Sequence, residues 1–340
     1  MTQDPTPNHL TTLESHIRSE ESRHPGATGA FSWILAAMTL AAKIIAGKIR
    51  RARIDDVLGP VGSSNVSGDE QQKLDVIANE TLIRTLGDRA GVAILASEEN
   101  EQPIILQTKE DQPYCVLFDP LDGSANLDVC VSVGTIFSIL RHDSTADSVE
   151  ESLLQPGTAQ VAAGYILYGS SCVFVLTTGH GVNLFVLDPS VGAFLLVERN
   201  LRLPESGKSY SINEAYRLQF PAAYVNYLDE AHGQGYSSRY IGTMVADIHR
   251  ILLTGGVFIY PPTKEYPHGK LRLMYEANPM AMIVEQAGGK AFAGRRRILQ
   301  IQPESLHQRT AVIMGSRDEV DRVLAHLDAQ DTDSPAAAPP

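Results

Sequence analysis

The chain has few cysteines, and their arrangement does not suit a metal site or a disulfide framework. Three occur in 340 residues, Cys115, Cys130 and Cys172, each within an apolar segment. Their separations match neither the short paired spacing of zinc sites nor the dense pattern of small disulfide-bonded domains. The sequence therefore predicts three buried free thiols, which behave as small apolar side chains.

Clusters of basic residues are also lacking. The formal net charge is -12, from 28 Lys+Arg and 40 Asp+Glu. A surface that binds nucleic-acid phosphates needs clustered cations, so this composition argues against nucleic acid as a partner. An anionic substrate would have to be met by a local basic patch or by bound metal. No G-x-G-x-x-G sequence follows the early apolar segments, which argues against a nucleotide-binding dehydrogenase.

Long uninterrupted apolar runs are missing too. The longest candidate, 31–45, is interrupted by Ser32, Thr39 and Lys43, whereas a membrane span needs about 20 mainly apolar residues. We expect a buried or amphipathic helix here, over 30–53, and no membrane as a partner. The first residues have neither the basic and apolar regions of a secretory signal nor the Arg-rich character of a transit peptide, which predicts a cytoplasmic protein.

The chain does contain enough apolar material for a large core. Apolar residues make up 43% of the sequence, and the length favours two domains or one large α/β unit. A polar segment, 199–209, is the predicted boundary. We predict an N-terminal domain over 1–200, a C-terminal substrate-binding α/β domain over 201–328, and a disordered tail over 329–340.

One apolar segment, 114–118, predicts a buried strand and is followed by the sequence DPLDGS. This sequence places Asp119 and Asp122 at the end of the strand. Pro120 stiffens the turn, and Gly123 allows the backbone to approach a ligand closely. Carboxylates held in this way suit Mg²⁺ and phosphate.

A second apolar segment, 92–96, is followed by Ser97, Glu98 and Glu99. Open α/β sheets bind ligands at the carboxyl ends of their strands, so the acids of the two segments are expected to meet if the strands are neighbours. Carboxylates that converge raise one another's pKa unless divalent cations neutralise them. The sequence therefore predicts bound cations.

Later segments supply candidate cations and further secondary structure. Lys270 and Arg272 share a face if they lie on a strand, and with Glu276 nearby they suit a bisphosphate flanked by metal. A helix over 71–86 carries Asp75, and Asn278 is the predicted N-cap of another helix. Further strands are predicted at 129–140, 160–168, 172–178, 182–188 and 193–198.

Seven motifs follow one another along most of the chain, from about residue 16 to about residue 327. They are GDEQQKLD at 68–75, SEE at 97–99, FDPLDGS at 118–124, AGYILYG at 163–169, YSINE at 210–214, MVADIH at 244–249 and KLRLMYEANP at 270–279. In this order they resemble the class I fructose-1,6-bisphosphatase family. The DPLDG element is shared with the wider lithium-sensitive sugar and inositol phosphatases, so alone it does not choose among them.

The resemblance implies an α/β fold of the α+β layered kind, with five layers in the order α/β/α/β/α. It implies hydrolysis of fructose 1,6-bisphosphate to fructose 6-phosphate by metal-activated water, in gluconeogenesis or Calvin-type carbon metabolism. The implied cofactor is Mg²⁺, with Mn²⁺ or Zn²⁺ as alternatives, and the implied partner is a second copy of the chain, in a homotetramer. The implied metal ligands are Glu98, Glu99, Asp119, the carbonyl of Leu121, Asp122 and Glu276, with Asp69 as an extra ligand.

The resemblance also implies roles for individual side chains. Asp75 and Glu98 would activate the attacking water, with Arg272 as a third catalytic residue. Arg239 would reach into a neighbouring subunit's site. Substrate would be met by Asp122, Gly123, Ser124 and Arg272 near the 1-phosphate, and by Asn213, Tyr216, Tyr240, Tyr260 and Lys270 at the 6-phosphate.

Two positions depart from the AMP-inhibited members of the family. Ala30 and Pro113 replace a glutamate and a lysine, which removes a cationic partner for the nucleotide phosphate. AMP inhibition therefore does not carry over from the resemblance.

Three alternatives to this activity stay open. The same metal chemistry fits a sedoheptulose-1,7-bisphosphatase or a dual-specificity sugar bisphosphatase. An inositol monophosphatase would not need the second phosphate site. A catalytically inactive sugar-phosphate sensor is an alternative of another class, and the full set of carboxylates favours the enzyme over it.

Overall fold

The computed structural model describes residues 10–21, 29–64, 70–87, 91–106 and 113–332. Within these ranges the chain forms eight α-helices, joined by short 3₁₀ segments and one π-helical turn. The helices are α1 (Leu13–Glu21), α2 (Ala30–Arg51), α3 (Lys73–Gly87), α4 (Val149–Leu153), α5 (Ala222–Gly233), α6 (Met244–Thr254), α7 (Asn278–Gln286) and α8 (Arg317–Thr332).

The strands form two large sheets and two small two-stranded ones. The strands are β1 (Pro60–Ser64), β2 (Glu70–Gln72), β3 (Val92–Ser97), β4 (Ile104–Ile105), β5 (Tyr114–Asp122), β6 (Val133–Arg141), β7 (Ala162–Tyr168), β8 (Cys172–Thr177), β9 (Val182–Asp188), β10 (Ala193–Glu198), β11 (Ser209–Ser211), β12 (Ser237–Ser238), β13 (Val257–Tyr260), β14 (Leu271–Arg272), β15 (Lys290–Ala293), β16 (Arg296–Arg297), β17 (Arg309–Thr310) and β18 (Val312–Gly315). Five strands of the larger sheet, β3 and β5 to β8, are buried along almost their whole length, because helices cover both faces of that sheet.

The first large sheet has eight strands in the order β10-β9-β8-β7-β6-β5-β3-β4. Most neighbours are antiparallel, but β3 and β5 run parallel, with Ser97 opposite Phe118 at their carboxyl ends. The last residues of these two strands therefore meet at the same edge of the sheet. This edge carries the acidic residues that follow each strand.

The second large sheet has six strands in the order β12-β11-β13-β18-β15-β16. Helices α6 and α7 lie between the two large sheets, where Ile248 and Ile283 join a core with Ile136 and Val312. Each fully buried Leu, Ile or Phe side chain in such a core contributes about 1.5–3 kcal/mol to folding.

Helices cover the outer faces of both sheets. On the first sheet, α1, α2 and α3 form one core with residues such as Phe137 and Phe174. On the second, α5 and α8 pack with Tyr210 and Ile313. The five layers run α/β/α/β/α, which confirms the predicted fold class.

Several local predictions differ from the structure. The strand predicted from residue 129 begins at Val133, because Ser124–Val129 forms a 3₁₀ helix. Asn278 does not cap α7, since a π-helical turn, Leu273–Ala277, runs directly into that helix. Cys115 and Cys172 are buried as predicted, but Cys130 is exposed and has a positive φ of 59°. It ends the 3₁₀ helix, and that backbone conformation directs it out of the core.

Helix α2 confirms the helix predicted over 30–53, although it ends two residues earlier, at Arg51. By length and composition it is the one helix of the described ranges that could cross a membrane. Core helices of soluble proteins have the same composition, and half of its most apolar window is buried within the molecule. Its exposed apolar side chains are Trp33, Leu40 and Ile44.

The strands of the eight-stranded sheet lie within 92–198, and those of the six-stranded sheet within 209–315. The boundary at residue 200 stays a prediction. The predicted C-terminal tail begins inside α8, and its last part, 333–340, lies outside the described residues.

Candidate active site

A bulge in β5 brings two carboxylates to one side of the first sheet. Residues three apart on a regular strand point to opposite faces. The pairing of β5 with β6 shifts between Asp119, opposite Ile136, and Asp122, opposite Gly134. Such a bulge adds one residue and re-aims the side chains around it. The segment that the sequence predicted as a turn is therefore an irregular end of the strand.

Hydrogen bonds fix both carboxylates. Asp119 Oδ1 accepts from the N–H of Leu121 at 3.0 Å, within the bulge itself. Asp122 Oδ2 accepts from the N–H of Val245 at 2.8 Å, at the start of α6. A helix N-terminus stabilises a negative charge, so α6 helps to hold Asp122 in place.

A third acid joins them from far along the chain. Glu276 lies in the π-helical turn Leu273–Ala277, a kind of turn often found at functional sites. Ligand oxygens of Asp119, Asp122 and Glu276 all lie within 4.8 Å of one another. The three residues, which we call the acidic triad, are 6%, 8% and 3% exposed.

Burial raises the pKa of each triad carboxyl, and repulsion by neighbouring acids adds to the rise for Asp119 and Asp122. Burial is the main cause for Asp119, whose pKa lies well above its ordinary value, and the charges of Glu98, Asp122 and Glu276 add to it. The pKa of Asp122 rises to about 7, chiefly through burial and then through Glu276. Such a cluster is most stable when a positive charge enters it.

Arg272 pairs with two acids of the site, Glu98 and Glu276. Its guanidinium contacts the carboxylate of Glu98 and lies 3.7 Å from Glu276 Oε2, to which its backbone N–H also donates at 2.6 Å. Burial raises the pKa of Glu98 to about 9, against the opposing effect of Arg272 and with a further contribution from Glu99.

Helix α3 carries Asp75 to the same region. Asp75 occupies the third position of the helix, where its Oδ2 accepts from the N–H of Gln72 at 2.8 Å, as in a capping box. Burial raises the pKa of this carboxyl to about 7; the bonds from Gln72 and Ser124 oppose the rise, and the charge of Glu99 adds to it. An acid with a pKa near neutrality can accept a proton at physiological pH.

Gly123 follows the bulge with a φ of 75°, a left-handed conformation that glycine adopts without strain. A Cβ at this position would lie 2.3 Å from Thr243 Oγ1. The Thr243 hydroxyl donates to Ser132 O at 2.8 Å and receives a bond from Asn126 Nδ2 at 2.6 Å. The backbone at 123–124 is therefore packed closely against the start of α6.

A separate pocket of about 180 Å³ lies beside the triad. Tyr260 is close enough to Glu276 for the negative charge to raise its phenol pKa, although burial is the larger cause. The charge of Asp122 likewise raises the phenol pKa of Tyr240, and burial is again the larger cause. The pocket is lined by Asn213, Tyr216, Gln219, Phe220, Ile259, Tyr260, Pro261, Thr263, Glu265, Tyr266 and Lys270.

The structure thus brings together most of the predicted site residues, in two groups. Asp75, Glu98, Glu99, Ser124 and Arg272 surround the triad, and Asn213, Tyr216, Tyr260 and Lys270 line the pocket. Tyr240 borders the pocket through contacts with Asn213 and Tyr216. Arg239 is exposed, its guanidinium donating to Ser238 O, and it is not part of the pocket lining. Asp69 lies outside the described residues.

Comparison with known proteins gives the family. Sequence models described as the N-terminal and C-terminal domains of fructose-1,6-bisphosphatase match residues 11–199 and 203–328. The chain is 51% identical over 321 residues to the class 1 fructose-1,6-bisphosphatase of Chlorobium phaeobacteroides and 52% identical over 319 residues to that of Chlorobium luteolum. Each alignment covers 92% of this chain and 96% of the relative.

The chain belongs to the class 1 fructose-1,6-bisphosphatase family. Its fold also matches the solved structure of Leishmania major fructose-1,6-bisphosphatase in holo form, with a TM-score of 0.89 and 44% sequence identity. That match covers 94% of this chain and 99% of the other. The family assignment made from the seven motifs is confirmed.

In this fructose-1,6-bisphosphatase family member, the acidic triad suits a divalent cation. Its donors are hard carboxylate oxygens close enough to share one ion, as Mg²⁺ and related cations require. Among the described residues, the site holds at least six carboxylates, those of the triad and of Asp75, Glu98 and Glu99. Three cations lie nearby: Lys270, Arg272 and Arg309. The excess of negative charge fits bound metal.

Two residues that the sequence did not single out belong to the site of this family member. Tyr266 lines the pocket, and its ring lies 5.8 Å from Lys270 Nζ and 5.1 Å from Arg309 Cζ. Arg309 also pairs with Arg272 across β14 and β17 and lowers the pKa of Glu276, after the larger effect of Arg272. Neither residue stands in an acidic or apolar pattern that would have drawn attention to it.

Proposed function

We propose that this protein hydrolyses the 1-phosphate of fructose 1,6-bisphosphate with the help of Mg²⁺. The observation that carries the proposal is the buried acidic triad beside a pocket that contains Lys270 and several tyrosines. Two adjacent sites of these kinds suit a sugar with a phosphate at each end: the triad region holds the phosphate that reacts, and the pocket holds the phosphate that stays.

Asp119, Asp122 and Glu276 would hold the cation, with Glu98, Glu99 and the Leu121 carbonyl completing the ligands. Bound Mg²⁺ would supply charge neutralisation at the phosphoryl group and a lowered pKa for a water molecule. Asp75 and Glu98 would remove and relay the proton of that water. Gly123, Ser124 and Arg272 would hold the reacting phosphate in line with it.

Lys270 would bind the 6-phosphate by a charge-assisted hydrogen bond, with Asn213, Tyr216, Tyr240 and Tyr260 as further donors. In this arrangement these groups would touch neither the bond that breaks nor the water that attacks. Their contribution therefore lies in affinity and in the choice of sugar.

We further propose a cytoplasmic homotetramer in which Arg239 completes a neighbouring subunit's site. The exposure of Arg239 and its place next to Tyr240, which borders the pocket, support this assembly. The exposed apolar side chains Trp33, Leu40 and Ile44 on α2 offer a surface for contact between copies.

Phosphate release from the purified protein tests the proposed function. Fructose 1,6-bisphosphate, sedoheptulose 1,7-bisphosphate and inositol 1-phosphate are supplied in parallel with Mg²⁺, each with and without AMP. We expect preferential release from the fructose substrate, and the AMP arm shows whether Ala30 and Pro113 have abolished inhibition by the nucleotide. Equal use of both bisphosphates would assign a dual-specificity enzyme, and the absence of release from all three would favour an inactive sensor.

A variant of the proton relay tests the mechanism. Glu98→Gln keeps the size of the side chain but removes its charge and basicity, and we expect turnover to fall about 10²–10⁴-fold, the range for loss of general acid–base catalysis. Circular dichroism and the unfolding temperature serve as controls for folding. A folded variant that keeps most of its activity would refute the role of Glu98.

A further inference from the structure

We propose that Asn79 is a positioning residue, which sets the affinity of the site for its divalent cation by holding the turn that carries Glu98 and Glu99. This inference rests on the proposed function for the identity of the cation. Asn79 lies one helical turn after Asp75 on the same face of α3 and is 8% exposed.

Both polar atoms of the Asn79 side-chain amide form hydrogen bonds. Its Oδ1 accepts from Ser97 Oγ at 2.7 Å, and its Nδ2 donates to Asn100 Oδ1 at 2.8 Å. Ser97 Oγ also accepts from the N–H of Glu99 at 3.2 Å. A serine hydroxyl can accept one bond while it donates its proton to another acceptor, so Ser97 Oγ makes both contacts at once.

Ser97 and Asn100 are the two ends of a tight turn. The N–H of Asn100 donates to Ser97 O at 3.2 Å, and Glu98 and Glu99 lie between them. Asn79 therefore binds both ends of the turn at once. A buried amide held by two side chains in this way fixes the distance between α3 and the carboxyl end of β3.

The turn needs such a restraint because its acids repel their neighbours. Glu98 and Glu99 lie in the turn and Asp75 lies on α3, so like charge pushes the turn away from α3. Asn79 is neutral and draws the same two elements together. Cations bind best where repelling ligands are held in place beforehand, since the cost of bringing them together has been met by folding.

Other contacts hold the turn less directly. Gln71 Nε2 donates to Glu99 Oε2 at 2.7 Å and orients one carboxylate, and the N–H of Glu98 donates to Phe118 O at 3.0 Å. His307 Nε2 lies 3.1 Å from Asn100 O on the other side of the turn. Of these contacts, the bonds of Asn79 are the ones that join the helix of Asp75 to both ends of the turn.

The main test compares Mg²⁺ binding by wild-type protein and by Asn79→Ala. Binding is measured by isothermal titration calorimetry and by the rise in unfolding temperature on adding Mg²⁺, and both measurements are independent of turnover. Residues that orient metal ligands typically affect affinity about 10–100-fold. We call the Mg²⁺ concentration at half-saturation the Mg²⁺ midpoint. We expect it to be about tenfold or more higher for Asn79→Ala than for wild type.

Kinetics separate positioning from general destabilisation. The Mg²⁺ dependence of turnover should shift with the binding midpoint, while KM for fructose 1,6-bisphosphate at saturating Mg²⁺ stays within about twofold, because the pocket is untouched. Asn183→Ala is the matched control. Asn183 lies on β9, which is several strands away from β5 and β3 in the sheet, and its Oδ1 accepts from the N–H of Asn200 at 3.2 Å. It should leave the Mg²⁺ midpoint unchanged.

A double-mutant cycle tests the route through Ser97. Asn79→Ala and Ser97→Ala both remove the Asn79–Ser97 bond, and Ser97→Ala also removes the acceptor of the Glu99 N–H. Each should raise the Mg²⁺ midpoint, and the double variant should show less than the sum of the two effects. If Asn79→Ala does not fold, the Mg²⁺ midpoint of Ser97→Ala is compared with that of wild type, and a higher midpoint for Ser97→Ala supports the proposal. An unchanged Mg²⁺ midpoint in the folded variants, fully additive effects, or an equal rise in KM would each overturn the proposal. A wild-type protein that binds Mg²⁺ but releases no phosphate would refute the proposed function and leave this test intact.

Discussion

At the scale of single residues, the site is an excess of carboxylates balanced by a few cations. Glu276 shows this balance, because burial raises its pKa while Arg272, Arg309 and Lys270 oppose the rise. The same cations stand next to the pocket, where Lys270 and Arg309 lie near the ring of Tyr266. A substrate with two phosphates would meet them there.

Arg309 is expected to contribute to substrate affinity through its charge. Arg309→Gln should raise KM for fructose 1,6-bisphosphate about tenfold with little change in kcat, since an interaction with a charged group contributes about 1.5–3 kcal/mol. Steady-state kinetics with fructose 1,6-bisphosphate and with fructose 1-phosphate measures the effect. The exposed Arg296, at the edge strand β16, supplies the control Arg296→Gln. An equal rise in KM for the substrate without a 6-phosphate would contradict this role.

At the scale of elements, the irregular end of β5 creates the site. The bulge at Asp119 and Asp122 turns both carboxylates to one side, and Gly123 lets the chain enter the 3₁₀ helix Ser124–Val129 against Thr243. A regular strand with the same residues would separate the acids. Small changes in the backbone here should therefore affect catalysis more than comparable changes elsewhere.

Gly123→Ala tests this expectation against a matched glycine. Both Gly123, with φ of 75°, and Gly192, with φ of 70°, are left-handed, but a Cβ at Gly192 would meet no atom within 4 Å. The backbone cost of about 1–2 kcal/mol is shared by the two variants. Only Gly123→Ala displaces Thr243, so we expect it to lower kcat/KM about 100-fold more than Gly192→Ala, because misplacing groups by about 1 Å has effects of that size. Similar kinetics in the two variants would argue against close packing at 123.

At the scale of the whole molecule, the buried acids make the stability of the metal-free protein depend on pH. Burial raises the pKa of Asp75 and Asp122 to about 7, whereas aspartates of an unfolded chain titrate near about 3.9. Between these pH values the folded state binds more protons than the unfolded state. The contribution of these groups to the free energy of unfolding therefore falls as pH rises through this window.

His249 acts in the opposite direction. Its Nδ1 shares a hydrogen bond of 2.8 Å with the Tyr165 hydroxyl. Burial lowers the pKa of the imidazole to about 4. Between pH values of about 4 and about 6.5, the ordinary histidine pKa, the unfolded state therefore binds more protons than the folded state. The contribution of His249 to the free energy of unfolding rises as pH increases through this window. A single variant is needed to separate the two trends.

Asp122→Asn isolates the acidic contribution, since His249 is common to both proteins. The amide keeps an oxygen that can accept from Val245 but carries no charge. In EDTA, we subtract the unfolding temperature of wild type from that of the variant, and we expect this difference to be larger at pH 8 than at pH 5. Added Mg²⁺ should raise the unfolding temperature of wild type but not that of the variant. Differential scanning calorimetry at the two pH values measures this. A difference between variant and wild type that does not change with pH would contradict the assignment.

The proposed tetramer is also tested at this scale. Light scattering should give a mass of four chains, and Arg239→Ala and Asp119→Asn proteins should each be nearly inactive. Mixing them under conditions that exchange subunits should restore part of the activity, because an intact acidic triad can then receive Arg239 from its neighbour. No recovery after demonstrated exchange would place the function of Arg239 within its own subunit.

Much of the fold and half of the site were predictable from local patterns. The buried strands β3 and β5 and the acids beside them follow from apolar runs that end in carboxylates, because parallel strands present their carboxyl ends at one edge. The helix carrying Asp75 follows from its periodicity. Predictions failed where a backbone change left no local signature, as at Cys130 and at Asn278, which a π-helical turn places inside a continuous helix.

The sequence by itself determined the family, through the order of its motifs, and the acidic character of the site, through patterns within one element. The layered fold class followed from the family resemblance. Only the tertiary structure decided that a bulge aligns Asp119 with Asp122 and how closely Glu276, already implied as a ligand by the resemblance, lies to both. It also decided that Asn79 ties α3 to the turn after β3 and that Arg309 reaches the ring of Tyr266. The physical reason is that these contacts join elements distant in the chain, and burial, register and charge balance between elements are set by packing rather than by neighbouring residues.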